Sequence, residues 1–151
     1  MDTLIQTLIS GLSLGSIYAL IALGYTMVYG IAKMLNFAHG DIIMVGAYAV
    51  ITAAFTMGLP PFIAILISIA LCALLGIVIE FLAYRPLRQA QPLAVLITAI
   101  GVSYLLQNLA LLIYGSEQKA FPMIVALPTV HIGGVYIDGI TLATLIVTAV
   151  I

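Results

Sequence analysis

Four long runs of apolar residues, separated by short polar stretches, constrain this chain more than any other feature of its sequence. Hydrophobic residues make up 65% of the chain and charged residues only 6%, whereas a soluble domain carries about 25% charged residues. A chain with so little charge cannot cover itself with a surface that faces water. We therefore expect an all-α fold, a polytopic bundle of transmembrane helices.

The lengths of the apolar runs predict four complete spans and an incomplete fifth. A helix needs roughly 20 apolar residues to cross the hydrocarbon core of a bilayer. Because the last run is still apolar at Ile151, we expect residues 1–151 to be the N-terminal part of a longer transmembrane domain. The predicted spans are residues 4–31, 42–57, 62–84 and 93–113, with 140–151 as the incomplete one.

The second run is short for a full crossing and has small residues on one face. Gly46, Ala49 and Ala53 allow it to pack closely against a neighbour. It is either a discontinuous helix that begins at a polar break or an ordinary span that borrows flanking residues.

A polar stretch, residues 36–41, precedes this run. It holds Asn36, His39 and Asp41 within six positions, with Lys33 just upstream. Such a cluster marks either a surface turn or a polar patch inside a bundle. We expect Asp41 to cap the following helix. His39 has no second histidine or cysteine at ligand spacing and no nucleophile to activate, so we expect no metal, no cofactor and no enzymatic activity.

Faces of small residues predict where helices pack. Gly11 and Gly15 begin such a face on the first run, and Tyr18, Tyr25 and Tyr29 continue it. This face is either a helix contact with interfacial tyrosines or the lining of a pathway. A second face recurs every four residues and ends in a carboxylate: Ala64, Ser68, Cys72, Gly76 and Glu80.

Glu80 is expected to form an ion pair at one interface with the arginines of the next loop, Arg85 and Arg88. If all runs cross, this loop and Lys33 share one side, which the excess of basic residues assigns to the cytoplasm. Gln107 and Asn108 are expected to bond a neighbouring helix or to face a cavity. Residues 130–137 are predicted to form a small hairpin.

Several ordered stretches resemble one family, the LivH-type permeases of bacterial branched-chain amino acid ABC importers. The related permeases of urea importers share much of this pattern. The stretches are residues 15–30 (GSIYALIALGYTMVYG), 35–41 (LNFAHGD), 84–88 (YRPLR), 97–103 (ITAIGVS) and 106–108 (LQN).

The resemblance implies a subunit of the bacterial inner membrane that forms part of a substrate pathway. It implies four kinds of partner: a second permease, two cytoplasmic ATP-binding subunits, an external substrate-binding protein and the bilayer. Candidate pathway residues are Asn36, His39, Asp41, Tyr25 and Tyr29. The alternatives are a permease for urea or another small neutral solute, and a bundle that serves only assembly.

Overall fold

The computed structural model describes residues 2–117, 128–132 and 135–151, and α-helices dominate this part of the chain. A short π-helical turn extends the second helix (Thr52–Thr56), and another follows the third (Glu80–Tyr84), which leads into a 3₁₀ turn (Arg85–Leu87). The α-helices are α1 (Asp2–Ala32), α2 (His39–Ile51), α3 (Pro61–Ile79), α4 (Pro92–Tyr114) and α5 (Gly139–Val150); the strands are β1 (Val130–Ile132) and β2 (Val135–Ile137).

Four helical stretches of the described chain are long and apolar enough to cross a membrane, whereas α5 is shorter. They are Thr3–Ile31, His39–Thr56, Pro61–Leu87 and Pro92–Tyr114. The ends of these helical stretches all lie within three residues of the ends of the predicted apolar runs. The predicted fold class, an all-α polytopic bundle, is confirmed.

The chain divides into two compact units, residues 1–30 with 125–151 and residues 31–124. In the first unit, the side chain of Gln6 pairs with the backbone of β2. Its Nε2 donates to the Tyr136 carbonyl oxygen at 2.9 Å, and the Tyr136 N–H donates to its Oε1 at 3.1 Å. The antiparallel pairing of Val130 with Ile137 confirms the predicted hairpin, whose two glycines lie outside the described residues.

In the second unit, α2 runs antiparallel to the first half of α3. The Ser68 hydroxyl donates to the carbonyl oxygen of Gly46 at 2.8 Å, and the Cys72 thiol donates to that of Ile42 at 3.6 Å. These contacts occur where both helices carry small side chains, since only small residues let two helix backbones approach this closely. Cys72 lies near the middle of the helical stretch Pro61–Leu87, so α2 begins beside the middle of that stretch.

The contacts between α2 and α4 show where α2 lies along α4. The hydroxyls of Thr52 and Tyr114 lie 3.0 Å apart, and the Tyr48 ring stacks on the Tyr114 ring with their centroids 4.2 Å apart. These residues join the last turns of α2 to the last residue of α4. Consequently α2 runs parallel to the second half of α4 and leaves the first half to another segment.

The π-turn Glu80–Tyr84 contacts α4, and the non-helical stretch 33–38 lies inside the same unit. Lys33 ends α1 in the left-handed region, with φ of 55°, a conformation that few non-glycine residues adopt. Ala38 is fully buried in the main apolar cluster. Its other buried members come from α3, the π-turn and α4: Ile79, Tyr84, Val95, Ala99 and Leu106.

Two prolines lie where the second helical stretch gives way to the third. Pro60 adopts an extended conformation, and Pro61 occupies the first helical position of α3. Proline suits that position because the missing N–H would have no partner within the helix. The result is a short turn that returns α3 alongside α2.

Gly46 offers a direct test of the α2–α3 contact. A Cβ added there would lie 2.9 Å from the Cys72 sulfur and 3.3 Å from the Ser68 hydroxyl oxygen. We expect Gly46→Ala to destabilise the protein by about 1–3 kcal/mol, because the helices must separate to relieve the overlap. The measurement is the thermal unfolding midpoint of the purified protein in detergent.

Gly76→Ala is the matched control, since no described atom lies within 4 Å of a Cβ at this helical position. Adding Cys72→Ala to Gly46→Ala should restore part of the loss. An unfolding midpoint for Gly46→Ala equal to that of the control would contradict the packing described above.

Candidate functional site at the start of the second helix

Five polar side chains from four segments form two hydrogen-bonded groups around the start of α2, Asn36 with Tyr84 and Asp41 with Ser103 and Gln107, and we call them together the polar junction. Two of them were predicted as site residues, Asn36 and Asp41. The others lie on the π-turn after α3 and on α4. The members of the polar junction are Asn36, Asp41, Tyr84, Ser103 and Gln107.

Asn36 shapes the turn that starts α2. Its Oδ1 accepts a hydrogen bond from the Ala38 N–H at 3.1 Å and another from the Tyr84 hydroxyl at 2.8 Å. The Asn36 carbonyl oxygen accepts from the His39 N–H at 3.2 Å. Asparagine suits this place because its short amide can satisfy nearby backbone groups that a helix would otherwise satisfy. The π-turn carries Tyr84 to the position from which its hydroxyl reaches Asn36.

The predicted cap by Asp41 is wrong. The helix begins at His39, its N-cap is Ala38, and no side chain caps it. Asp41 therefore falls inside the first turn, three residues after the N-cap, and its side chain points to α4. A carboxylate in the first turn of a helix is still favoured by the helix dipole.

The Asp41 carboxylate is bound by neutral donors from α4. The Ser103 hydroxyl donates to Oδ2, and the Gln107 Nε2 donates to Oδ1 at 3.0 Å. Gln107 Nε2 also donates to the Ser103 hydroxyl oxygen at 3.1 Å, which closes the network. Asp41 is only 9% exposed, and among the described residues no basic side chain forms an ion pair with it.

A buried carboxylate without a cation depends on its hydrogen bonds. Removing a charged group from water costs several kcal/mol, and in a membrane no water replaces a lost donor. Ser103 and Gln107 are thus required to keep Asp41 in place. Because Ser103 is the middle residue of α4, this carboxylate lies about 16 Å from either end of that helix.

The structure brings together some predicted pathway residues and leaves others apart. Asn36, His39 and Asp41 all lie at the start of α2, and His39 is half-buried. Tyr25 and Tyr29 lie on α1, in the other compact unit. The roles of all five in a pathway stay predictions.

The predicted packing and loop residues have different surroundings. Ser68 and Cys72 contact α2, whereas no described atom lies within 4 Å of a Cβ built on Gly11, Gly15 or Gly76. The predicted ion pair of Glu80 forms with Arg88, at 2.5 Å. The guanidinium of the other arginine, Arg85, lies 5.2 Å from the centre of the Phe81 ring.

Sequence reasoning missed Ser103 and Tyr84 as partners of the polar stretch. Of the two alternatives left open for Gln107 and Asn108, Gln107 bonds a neighbouring helix, at Asp41. Asn108 bonds its own helix, at the Tyr104 carbonyl oxygen. The available signal was the spacing of Ser103 and Gln107, four positions apart on one face of an apolar helix.

The fold and the polar junction define a multi-pass membrane protein in which one helix begins inside the bundle. Its family is known. A family model described as the permease component of a branched-chain amino acid transport system matches residues 7–151. The chain belongs to this family, which confirms the resemblance seen in the sequence.

Curated relatives agree with the family. The chain is 48% identical over 126 residues to the high-affinity branched-chain amino acid transport system permease protein BraD of Pseudomonas aeruginosa. It is 44% identical over 126 residues to the permease proteins named LivH of Salmonella typhimurium and Escherichia coli K12. Each match covers 78% of this chain and 41% of the relative. No solved structure matches the chain significantly.

Exchanging the charge between Asp41 and Gln107 tests the polar junction. Gln107→Glu alone places a second carboxylate beside Asp41 and removes one of its donors, and we expect it to cost about 1–3 kcal/mol of stability. Combining it with Asp41→Asn keeps one carboxylate and one amide in the same space, so the double variant should recover most of the loss. The measurement is the thermal unfolding midpoint in detergent, with the amount of permease in membranes as a second readout.

The control pair is Asp41→Asn with Asn108→Asp, which moves the charge to a neighbouring side chain that bonds its own helix. We expect Asp41→Asn to recover none of the stability that Asn108→Asp loses. If the Gln107→Glu variant and the double variant unfold at the same temperature, the hydrogen bond between these two side chains does not stabilise the permease.

Proposed function

We propose that this chain is part of a permease subunit of an ABC importer and forms part of the pathway for branched-chain amino acids. The observation that carries the proposal is the 44–48% identity over 126 residues to permeases named for transport of these substrates. The family model matches residues 7–151, a range that includes every member of the polar junction. Since the chain spans about 41% of those relatives, the activity of the whole transporter is a proposal for this chain.

The partners follow from the family. We propose a second permease subunit, two cytoplasmic ATP-binding subunits and an external substrate-binding protein, all at the bacterial inner membrane. The sequence contains no glycine-rich phosphate-binding loop of the Gly-x-x-x-x-Gly-Lys type. In the proposed assembly, ATP hydrolysis belongs to the ATP-binding subunits, and this chain contributes to the route taken by the solute.

The chemistry of the polar junction supports a zwitterionic solute. Such a solute has no net charge but needs hydrogen bonds for both its ammonium and its carboxylate groups. Asn36, His39 and Asp41, together with Tyr25 and Tyr29, are the proposed pathway residues. The amide, imidazole and hydroxyl groups among these residues offer hydrogen bonds to a zwitterion, whereas Asp41 is a carboxylate that Ser103 and Gln107 already hold. Basic residues are scarce within the spans.

The orientation proposed here puts Lys33, Arg85 and Arg88 on the cytoplasmic side. Two apolar residues support their common placement, since Met34 and Leu87 pack against the same buried cluster. The start of α2 then lies near the bilayer centre, because it adjoins the middles of α3 and α4. Non-helical backbone is tolerated at that depth when it is enclosed by protein, as Ala38 is.

Uptake measurements test the proposal. The permease is placed in membranes with its companion subunits, and uptake of labelled leucine and of labelled urea is measured with and without the external binding protein. We expect uptake of leucine that depends on the binding protein and is lost when the permease is deleted. Asn36→Ala and His39→Ala should then reduce it.

Uptake of urea alone would replace the substrate and keep the transport class. If a complex that assembles and hydrolyses ATP moves neither solute, the proposed transport of branched-chain amino acids is wrong.

A further inference from the structure

One face of α4 is polar and exposed, and its residues are not among the pathway residues proposed above. It consists of Tyr104, Gln107 and Asn108, which we call the α4 polar face. Tyr104 is 63% exposed. Leu106 and Ala110, on the opposite side of the helix, are buried in the described unit. The polar face therefore points away from the core that α2, α3 and α4 share.

This face lies at the middle of a helix long and apolar enough to span a membrane. Ser103, the middle residue of α4, directly precedes it. Lipid chains cannot form hydrogen bonds, so amide and hydroxyl groups exposed to them at this depth cost free energy. The α4 polar face must therefore meet either protein or water.

The hydrogen bonds on this face favour a polar occupant. Gln107 uses its Nε2 to bind Asp41 and Ser103, so the face connects directly to a buried carboxylate. Asn108 donates to the Tyr104 carbonyl oxygen at 2.7 Å, and within the described chain its side-chain oxygen accepts no hydrogen bond. These groups keep hydrogen-bonding capacity for something outside the described chain.

Apolar side chains adjoin the polar ones. Ile100 and Ile97 are exposed on the same side of α4, one turn and two turns before the polar face, respectively. Between them and Tyr104 lies Gly101, where no described atom is within 4 Å of a built Cβ. The surface thus pairs hydrogen-bonding groups with an apolar strip and a recess. An amphipathic zwitterion, with charged groups at one end and a branched aliphatic chain at the other, matches both parts.

We propose that Tyr104, Gln107 and Asn108 line the pathway of the zwitterionic solute, with Gln107 linking the pathway to Asp41. This proposal rests on the proposed function, and it adds residues of α4 to a pathway that the sequence assigned to α1 and the start of α2. In the assembled transporter, water and solute reach the α4 polar face, and the second permease leaves it open.

Reactivity of introduced thiols tests this proposal. Cys72, the one cysteine in the sequence, is replaced in a Cys72→Ala background. Gln107→Cys and Asn108→Cys are then exposed, in the assembled complex in membranes, to a charged methanethiosulfonate that does not cross lipid. Leu105→Cys is the matched control, because Leu105 lies at the same depth and is 58% exposed on the apolar side of α4.

Only the thiolate reacts, and ionisation needs water, so we expect the two pathway thiols to react at least about tenfold faster than the control. Leucine added with the external binding protein should slow their reaction and leave the control unchanged. Equal and slow reaction at all three positions, or oxidative cross-linking of Asn108→Cys to the second permease, would overturn the proposal.

Uptake of leucine is measured in parallel in membranes whose permease carries Cys72→Ala and no introduced cysteine. Loss of leucine uptake in a complex that still hydrolyses ATP counts against the proposed function. Uptake with no reactive thiol at Gln107 or Asn108 counts against the α4 polar face alone.

Discussion

The hydrogen bonds between Asp41 and α4 are the interaction on which the rest of the second unit depends. A carboxylate this deeply buried is stable only where donors are fixed around it, and Ser103 and Gln107 provide them. Because both donors belong to the middle of α4, α2 can begin only there. Ala38, at the end of the non-helical segment 33–38, is buried in the cluster that also holds Val95 and Ala99 from the other half of α4.

Close packing fixes the same position from the side of α3. The Gly46 backbone lies against Ser68 and Cys72, and a larger side chain at any of these places would move the helices apart. Packing therefore sets the register of α2 along α3, and hydrogen bonding sets it along α4. A polar junction held in this way places hydrogen-bonding groups inside the helical unit without loss of the surrounding apolar contacts.

The apolar runs were sufficient to predict the helices, and small residues at intervals of four predicted one face of α3. The sequence did not reveal that Asp41 binds α4 instead of capping its own helix. Hydrogen-bond partners of a buried carboxylate lie 62 and 66 residues away, and nothing local to Asp41 specifies them. Tyr84 was also missed, because a π-turn changes the direction in which its side chain points.

The register of α2 against α3 is tested most directly by Gly46→Cys. A Cβ at Gly46 lies 2.9 Å from the Cys72 sulfur, near the separation of about 3 Å that a disulfide requires between these atoms. The permease in membranes is treated with a mild oxidant, denatured, and labelled at its free thiols. We predict that Gly46→Cys keeps no free thiol, whereas Gly40→Cys, with no described atom within 4 Å of its Cβ, keeps both. Two free thiols in Gly46→Cys after oxidation would contradict the placement of α2 beside the middle of α3.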